Sequence, residues 1–451
     1  MSMNEETIVA IATPPGAGGI GIVRISGTQA ERILTEVFSP FSPNAYPPKT
    51  HMMIYGHLHD GKEILDEGMA VLMRAPASYT REDVAELQLH GGSYILNRCV
   101  ALCTRHGARL AEAGEFTRRA FINGRIDLSK AEAVMSMINA VSMQEHRAAV
   151  REMEGGATAF VRQASDELYA IQAGLAACID YPDEVSDEDG VREIVPRLEH
   201  LITFLEQAAD ERTSRLLRDG LQVVLIGRPN VGKSSLLNAL LNENRAIVTE
   251  IPGTTRDTVS GEIILNGIRV CLTDTAGMRE TDDPVEKIGV ERSQRVLRDA
   301  DVAILVLDGS RQADPDDLKL LNELPPGSIV AVNKSDLPAA IRVTDITDVR
   351  PDVRCITCST FEQGSMEPIK ELLAGYATVT DRIALTQPRH LDVLRRTAEY
   401  LRAALETLQI WTPDMASTDL QAAQEALAEI TGDKADEKLL DAVFSQFCVG
   451  K

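Results

Sequence analysis

Gly227-Arg-Pro-Asn-Val-Gly-Lys-Ser-Ser235 decides how the chain is read, because it carries the spacing G-x-x-x-x-G-K-S. Its flanks suit that spacing. Leu221 to Ile226 is a short, mostly apolar run that predicts a strand, and Ser234 to Leu241 predicts a helix. A strand, a glycine-rich turn and a helix start form the arrangement that cradles phosphates, since the turn aims its N–H groups inward at the positive end of the helix. Lys233 is expected against the β- and γ-phosphates and the Ser234 hydroxyl on Mg2+.

Two further motifs follow in order. Asp274-Thr-Ala-Gly277 succeeds the strand-like run Ile268 to Thr273; its carboxylate is expected to hold Mg2+ through water and its glycine N–H to sense the γ-phosphate. Asn333-Lys-Ser-Asp336 succeeds Ile329 to Val332. A carboxylate there accepts both N–H donors of guanine's N1 and 2-amino edge, a pair that adenine lacks, so Asp336 selects GTP. Three motifs in this order, each after a strand, predict a Ras-like α/β P-loop GTPase domain over about residues 216–378. Nucleotide contacts are expected at Asn230, Val231, Gly232, Lys233, Ser234 and Ser235, at Asp274, Thr275, Ala276 and Gly277, and at Asn333, Lys334 and Asp336.

Between the first two motifs lies Ile247-Val-Thr-Glu-Ile-Pro-Gly-Thr-Thr-Arg-Asp257, where Thr255 is the candidate to complete the Mg2+ shell. Hydrolysis needs a group that positions water. The residue after Gly277 is Met278, which cannot do so. Glu286 is the best carboxylate nearby, with Glu280 and Asp282 as rivals, and no arginine finger is identifiable. Cys355-Ile-Thr-Cys358 has no second ligand pair and no thioredoxin context, so it reads as packing.

A length of 451 residues suggests about three domains. The net charge of −22 argues against a large basic nucleic-acid surface and against anionic membranes. Action on RNA would need a local patch or a partner to meet the phosphates. The start of the chain has no signal-peptide pattern, and no apolar run is long enough to span a bilayer. Seven scattered cysteines read as reduced thiols of a cytoplasmic protein.

Residues 1–122 predict an α+β domain, with strands at Thr7 to Ala12, Ile20 to Ile25, His51 to Tyr55, Met69 to Met73 and Val84 to Leu89 and a helix at Ser93 to Arg105. Gly16 to Gly21 matches G-x-G-x-x-G, but a strand follows it where a dinucleotide site needs a helix, so it reads as a hairpin. His57-x-His59 and the pair Cys99 and Cys103 lack further ligands and read as an exposed strand face and buried thiols. Residues 123–215 are expected to be helical: a spacing from Leu128 to Val141, a helix at Ala157 to Cys178, an acidic turn over Asp180 to Gly190 that fails the EF-hand template, and a helix from Pro196 to Arg215. Arg212, Arg215 and Arg218 read as a solvated face. Residues 379–451 return to helical spacing, from Leu391 to Leu408, through Leu420 to Ile430, and in a last helix at Leu439 to Phe447. The expected arrangement is one all-α helical domain with the GTPase domain inserted between its halves. Cys448 sits where a prenylation box would, but the terminal Lys and the absence of a polybasic run argue against one.

Taken together the chain resembles the MnmE (TrmE) family of tRNA-modifying GTPases. The resemblance rests on Thr13-Pro-Pro-Gly16 with Arg24-Ile-Ser-Gly27, Gly114-Glu-Phe-Thr-Arg-Arg-Ala-Phe121, Leu128-Ser-Lys-Ala-Glu-Ala133, the P-loop, Gly253-Thr-Thr-Arg-Asp257, Asp274-Thr-Ala-Gly-Met-Arg-Glu280 and the terminal Phe447-Cys-Val-Gly-Lys451. It implies a homodimer through the N-terminal domain, a bound 5-formyl- or 5,10-methylene-tetrahydrofolate, and a complex with the FAD-dependent protein MnmG that modifies carbon 5 of the wobble uridine of certain tRNAs. Matching positions imply folate contacts at Arg24, Glu86, Lys451 and Arg125, the last replacing a usual Lys. They imply K+ stimulation through Asn230, Thr249, Ile251 and Thr254, a water-positioning role for Glu286, a requirement for Cys448 in tRNA modification, and a guanine-side contact at Thr357 and Cys358 in place of Ser-Ala. A GTPase switch of the ribosome-assembly kind and a folate-dependent one-carbon enzyme regulated by its GTPase domain are the competing expectations. The Phe-Cys-Val-Gly-Lys tail together with Arg24 and Glu86 argues against the first of these.

Overall fold

The structure is a computed structural model that describes residues 6–181, 187–243, 259–274, 300–379, 385–410 and 413–450. The chain forms two compact units: Met1–Ile138, Arg151–Thr203 and Arg396–Lys451 make one, and Asn139–Val150 with Phe204–Arg395 make the other.

The first unit opens with β1 (Ile8–Ile11) and β2 (Gly18–Ser26), paired antiparallel from Ile8↔Ser26 to Ile11↔Val23. The glycine run between them is therefore a hairpin, as its flanks predict. Helix α1 (Ala30–Val37) and strands β3 (Phe38–Pro40), β4 (Ile54–Asp60), β5 (Glu63–Met73) and β6 (Val84–Gly91) follow, then α2 (Ser93–Arg105), β7 (Arg109–Leu110) and α3 (Glu115–Ile122). The strands form one sheet in the order β3-β4-β5-β6-β2-β1-β7. Alternation along β2 and β6 buries Val23, Ile25, Ala85, Leu87 and Leu89 in a core shared with Ile33, Leu34, Leu96 and Leu102 of the helices. It leaves Arg24 and Glu86, opposite each other in register, on the other face. β4 lies three residues later than expected. Its inward positions are Ile54, Gly56 and Leu58, and a glycine among histidines does not look like a strand interior. Cys99 and Cys103 are buried in α2; their mutual hydrogen bond and their burial push the Cys99 thiol well above its ordinary value.

The helices that follow are α4 (Leu128–Asn139), α5 (Met143–Met153), α6 (Gly156–Asp180), α7 (Asp187–Ala208) and α8 (Glu211–Asp219). α6 buries Phe160, Ala164, Leu168, Ile171, Leu175 and Cys178, a stripe at three- and four-residue spacing. The single helix expected from Pro196 to Arg215 is two. α7 starts nine residues earlier, with Pro196 inside it, and so absorbs part of the acidic stretch expected to be a turn. The break falls after Ala208 because the Asp210 carboxylate accepts the Thr213 N–H at 3.0 Å and caps α8. The arginines of α8 are exposed but not merely solvated: Arg215 pairs with Asp301, and Arg212 donates to the Tyr376 carbonyl.

The second unit is built on β8 (Leu221–Ile226), α9 (Lys233–Glu243), β9 (Val259–Leu265), β10 (Ile268–Asp274), β11 (Val302–Asp308), α10 (Pro315–Glu323), β12 (Ile329–Asn333), α11 (Val343–Thr347), β13 (Arg354–Thr357) and α12 (Glu367–Tyr376). Its sheet runs β13-β12-β11-β8-β10-β9, parallel except for the β9–β10 hairpin. β11 and β12 are buried at every position, as a parallel sheet covered on both faces requires. Residues 139–150 belong to this unit: Ala148 joins its core, Gln144 donates its N–H to the Gly267 carbonyl at 3.1 Å, and Glu145 faces Arg269 at 3.4 Å.

Helices α13 (Pro388–Ile410), α14 (Pro413–Thr431) and α15 (Glu437–Phe444) complete the chain. α14 packs along α6 through Leu420, Ala423 and Leu427. The class is multidomain: an α+β N-terminal portion, helices, and a P-loop α/β sheet lying within the helical sequence. Among the described residues no helix is long and apolar enough to cross a membrane, and all seven cysteines are free.

Candidate functional site

β8 delivers the chain into the turn that starts α9. Asn230 takes a left-handed φ of 65° there and Gly232 a φ of 100°. A Cβ on Gly232 would lie 2.2 Å from Asn333 Nδ2, so only glycine fits. Lys233 is 6% exposed and folds back over the turn, donating from Nζ to the carbonyls of Gly227 at 2.8 Å and Arg228 at 2.9 Å. Burial holds its ammonium below the ordinary value, and the Asp274 carboxylate opposes that shift. A phosphate would give this ammonium an ionic partner in place of two carbonyl oxygens. The Ser234 hydroxyl donates to Asp274 Oδ2 at 2.7 Å, and Asp274 is fully buried at the end of β10. A hydroxyl and a carboxylate held in contact beside a phosphate-binding turn are hard oxygen donors of the kind Mg2+ takes, so these two residues fit that ion.

The guanine-side motif is tied directly to the P-loop. Asn333 Nδ2 donates to the Val231 carbonyl at 2.9 Å, and both residues are buried. Lys334, with a left-handed φ of 67°, donates from Nζ to Asp308 Oδ2 at 2.6 Å and to the Asn230 carbonyl at 3.4 Å. Burial pushes the Asp308 carboxyl up, but its hydrogen bonds from Lys334 and Ser310 outweigh burial and hold it below the ordinary value. Asp308, at the end of β11, escaped the sequence motifs because its role depends on the strand order.

Asp336 is exposed and accepts the Ser359 hydroxyl at 2.6 Å. Thr357 and Cys358, expected at the guanine edge, lie two and one residues before Ser359 in the chain. Thr357 is the last residue of β13, paired with Val332; the Cys358 N–H is engaged by the Val332 carbonyl at 2.9 Å and its thiol is buried. β13 ends where the sequence places the last strand and the start of the loop, and the side-chain hydroxyl that meets Asp336 is that of Ser359. The thiols of Cys355 and Cys358 are pushed up by burial to about 11 and about 12, which keeps both protonated and inert at neutral pH. Ser235 is exposed on the first turn of α9. Thr249, Ile251, Thr254, Thr255, Thr275, Ala276, Gly277, Met278, Glu280, Asp282 and Glu286 lie outside the described residues, as does Lys451.

A second constellation occupies the first unit. Arg24 Nε donates to Glu86 Oε1 at 2.8 Å, with the side chains 16% and 15% exposed. The guanidinium of Arg24 lies 5.4 Å from the Tyr79 ring and 5.7 Å from Phe116, and that of Arg125 lies 4.6 Å from Tyr79. Arg125 also donates to the Tyr79 carbonyl at 3.0 Å, and the Tyr79 hydroxyl meets Thr117 Oγ1 at 3.0 Å. Tyr79 was not singled out in the sequence; its place between two arginines needs the loop before β6 and the segment after α3 to meet.

The chain's last residues arrive at the same place. Phe444 and Phe447 are buried with Leu128 and Ala131, Val449 bridges Ala113, and the Gly450 carbonyl accepts Arg24 Nη1 at 3.4 Å. Gly450 has a φ of 96°, and a Cβ on it would meet the Ile11 carbonyl at 2.2 Å. The Cys448 thiol is exposed and its carbonyl accepts the Gly114 N–H. Arg24 and Glu86, 62 residues apart, thus meet the tail, whose Gly450 is 426 residues from Arg24, and Tyr79 links Arg24 to Arg125.

Beneath α3 lies an ionic cluster. Arg119 is 2% exposed and donates to both carboxylate oxygens of Glu82 and to Glu115, which also accepts from Arg109. The Glu115 carboxyl is raised by burial, but its bonds from Arg109, Glu112 and Arg119 outweigh this and hold it low. The cluster fixes α3 and the loop that carries Tyr79.

Comparison with known proteins bears on the family of the whole chain. The family model described as GTP-binding protein TrmE N-terminus matches residues 7–125, and the model described as MnmE helical domain matches residues 128–448. The tRNA modification GTPase MnmE of Thermoanaerobacter pseudethanolicus is 40% identical over 457 residues, covering 99% of each chain. That of Heliobacterium modesticaldum is 44% identical over 468 residues, covering all of both. Among solved structures, the G domain of the T. maritima FeoB iron transporter aligns with 35% of this chain and 99% of its own at 28% identity, with a TM-score of 0.28. The two family models and the full-length relatives show that the chain belongs to the MnmE (TrmE) family of tRNA modification GTPases.

Proposed function

We propose that this protein is the GTP-hydrolysing component of a complex that installs the (carboxymethyl)aminomethyl group on carbon 5 of the tRNA wobble uridine. It works in the cytoplasm as a homodimer with the FAD-dependent partner MnmG, and it draws a one-carbon unit from 5-formyl- or 5,10-methylene-tetrahydrofolate. The observation that carries this reading is the meeting of Arg24, Glu86 and the C-terminal tail, since a nucleotide switch alone has no use for it. A carboxylate suits the amino-pyrimidinone edge of a pterin. Arg24 and Arg125, backed by Tyr79, supply positive charge and stacking surface beside it, with Lys451 the next residue after Gly450.

In the second unit the P-loop and Asn333, Lys334 and Asp336 bind GTP. Ser234 and Thr255 would hold Mg2+, with Asp274 acting through water; the ion, when bound, neutralises charge on the phosphates. K+ would sit at Asn230 with Thr249, Ile251 and Thr254 and do electrostatically what an arginine finger does. Glu286 positions the attacking water, and Cys448 serves the modification step. The domain reading that accompanies this is 1–122 for dimerisation and folate, 216–378 for GTP, and 123–215 with 379–451 for the helical support.

The test is calorimetry of 5-formyl-tetrahydrofolate on the full chain, with GTP turnover measured alongside in K+ and in Na+. Folate binding that Glu86→Ala weakens, and faster turnover in K+ that Asn230→Ala abolishes, are expected. No folate binding removes the one-carbon role, and equal rates in the two salts remove the cation.

A further inference from the structure

Two residues beyond Ser359 the chain presents an aromatic ring that neither core nor motif accounts for. Phe361 is 86% exposed, the most open large apolar side chain among the described residues. Its backbone is nevertheless held: the Phe361 N–H donates to Ser359 Oγ at 3.2 Å, and that hydroxyl donates to Asp336 Oδ1 at 2.6 Å. One hydroxyl therefore ties the carboxylate that meets the guanine edge to the residue that carries the ring. On the other loop, Lys334 is two residues before Asp336 and is anchored by Asp308 and the Asn230 carbonyl.

We infer that Phe361 stacks on the face of the guanine base while Asp336 binds its edge, which makes Phe361 a determinant of nucleotide affinity. A carboxylate that accepts two N–H groups from one edge fixes the plane of the base. An apolar ring at the rim of that plane covers a π-face and loses its own exposure to water in doing so. Leu337, the residue after Asp336, is also exposed. The inference rests on the GTP reading of this site. The contact is to the base, so it is the same with GTP, with GDP and during hydrolysis, and it acts on KM without changing kcat.

The test is equilibrium binding of GDP and of a non-hydrolysable GTP analogue to the full chain and to Phe361→Ala and Phe361→Trp. Phe361→Ala should weaken both nucleotides alike by about tenfold, within the roughly 5- to 150-fold range that base–aromatic stacking supplies. Its kcat should stand, and its thermal midpoint without nucleotide should match the parent, because a ring this exposed contributes little to the core. Phe361→Trp should bind tightly and show a change in indole emission when GDP is added. Parental affinity in Phe361→Ala overturns the inference, as does a loss of affinity that comes with a lower midpoint and is not restored by Trp. If the parent chain itself binds no guanine nucleotide, the GTP reading fails first and the stacking role falls with it.

Discussion

Replacing Gly232 by alanine tests how the two nucleotide loops are joined. The new Cβ would stand 2.2 Å from Asn333 Nδ2, the group that donates to the Val231 carbonyl at 2.9 Å. Asn333 is 2% exposed and cannot move into water without leaving that carbonyl unpaired. A φ of 100° also strains any residue with a Cβ. The backbone term is about 1–2 kcal/mol and the lost buried hydrogen bond about 1–3 kcal/mol, so Gly232→Ala should cost about 2–5 kcal/mol. Gly364 is the control: its φ is 79° and a Cβ there would meet nothing within 4 Å, so alanine should cost only the backbone term. Urea denaturation with and without GDP reads both, because the transition that GDP moves belongs to the unit that binds it. Equal losses in the two variants would refute the link between the P-loop and Asn333.

Ser359→Ala should weaken GDP binding about 2- to 13-fold, as one hydrogen bond that orients Asp336 is lost, while Thr357→Val should leave it unchanged; titration with GDP checks both. Arg119→Met should lower 5-formyl-tetrahydrofolate affinity without touching any proposed ligand contact, because Glu82 and Glu115 lose the cation that fixes the Tyr79 loop, and calorimetry on the full chain reads it. The Cys358 thiol titrates at about 12 when folded against an ordinary 9.0. Above pH 9 the unfolded chain therefore releases a proton that the folded chain keeps, and stability falls by about 1.4 kcal/mol per pH unit until the folded thiol itself ionises. Cys358→Ala should make that alkaline limb shallower in urea midpoints taken between pH 8 and 11, leaving the share of Cys355, whose thiol burial pushes up to about 11.

The second unit was legible because its chemistry is local. Each phosphate or guanine motif lies within a few residues and follows a strand, and the strands Leu221–Ile226 and Ile329–Asn333 are apolar runs buried at nearly every position. What escaped depends on contacts between distant segments. Ser359 and Asp308 matter only once β13 and β11 lie beside β12. Tyr79 acquires its arginine neighbours only when α3 and the following segment return to the sheet. Nothing in Met143 to Val150 signals that Gln144 and Glu145 meet the tip of the β9–β10 hairpin. The helix from 196 was misplaced for a local reason: a proline read as a start can sit inside a helix, whereas the Asp210 cap sets the true break.

The central claim, that this GTPase serves wobble-uridine modification, is tested most directly by deleting its gene and analysing the tRNA nucleosides by mass spectrometry. The account predicts that the C5-aminomethyl-type wobble uridines disappear and return with the parent gene but not with Glu286→Ala. A full complement of those nucleosides in the deletion strain would contradict it.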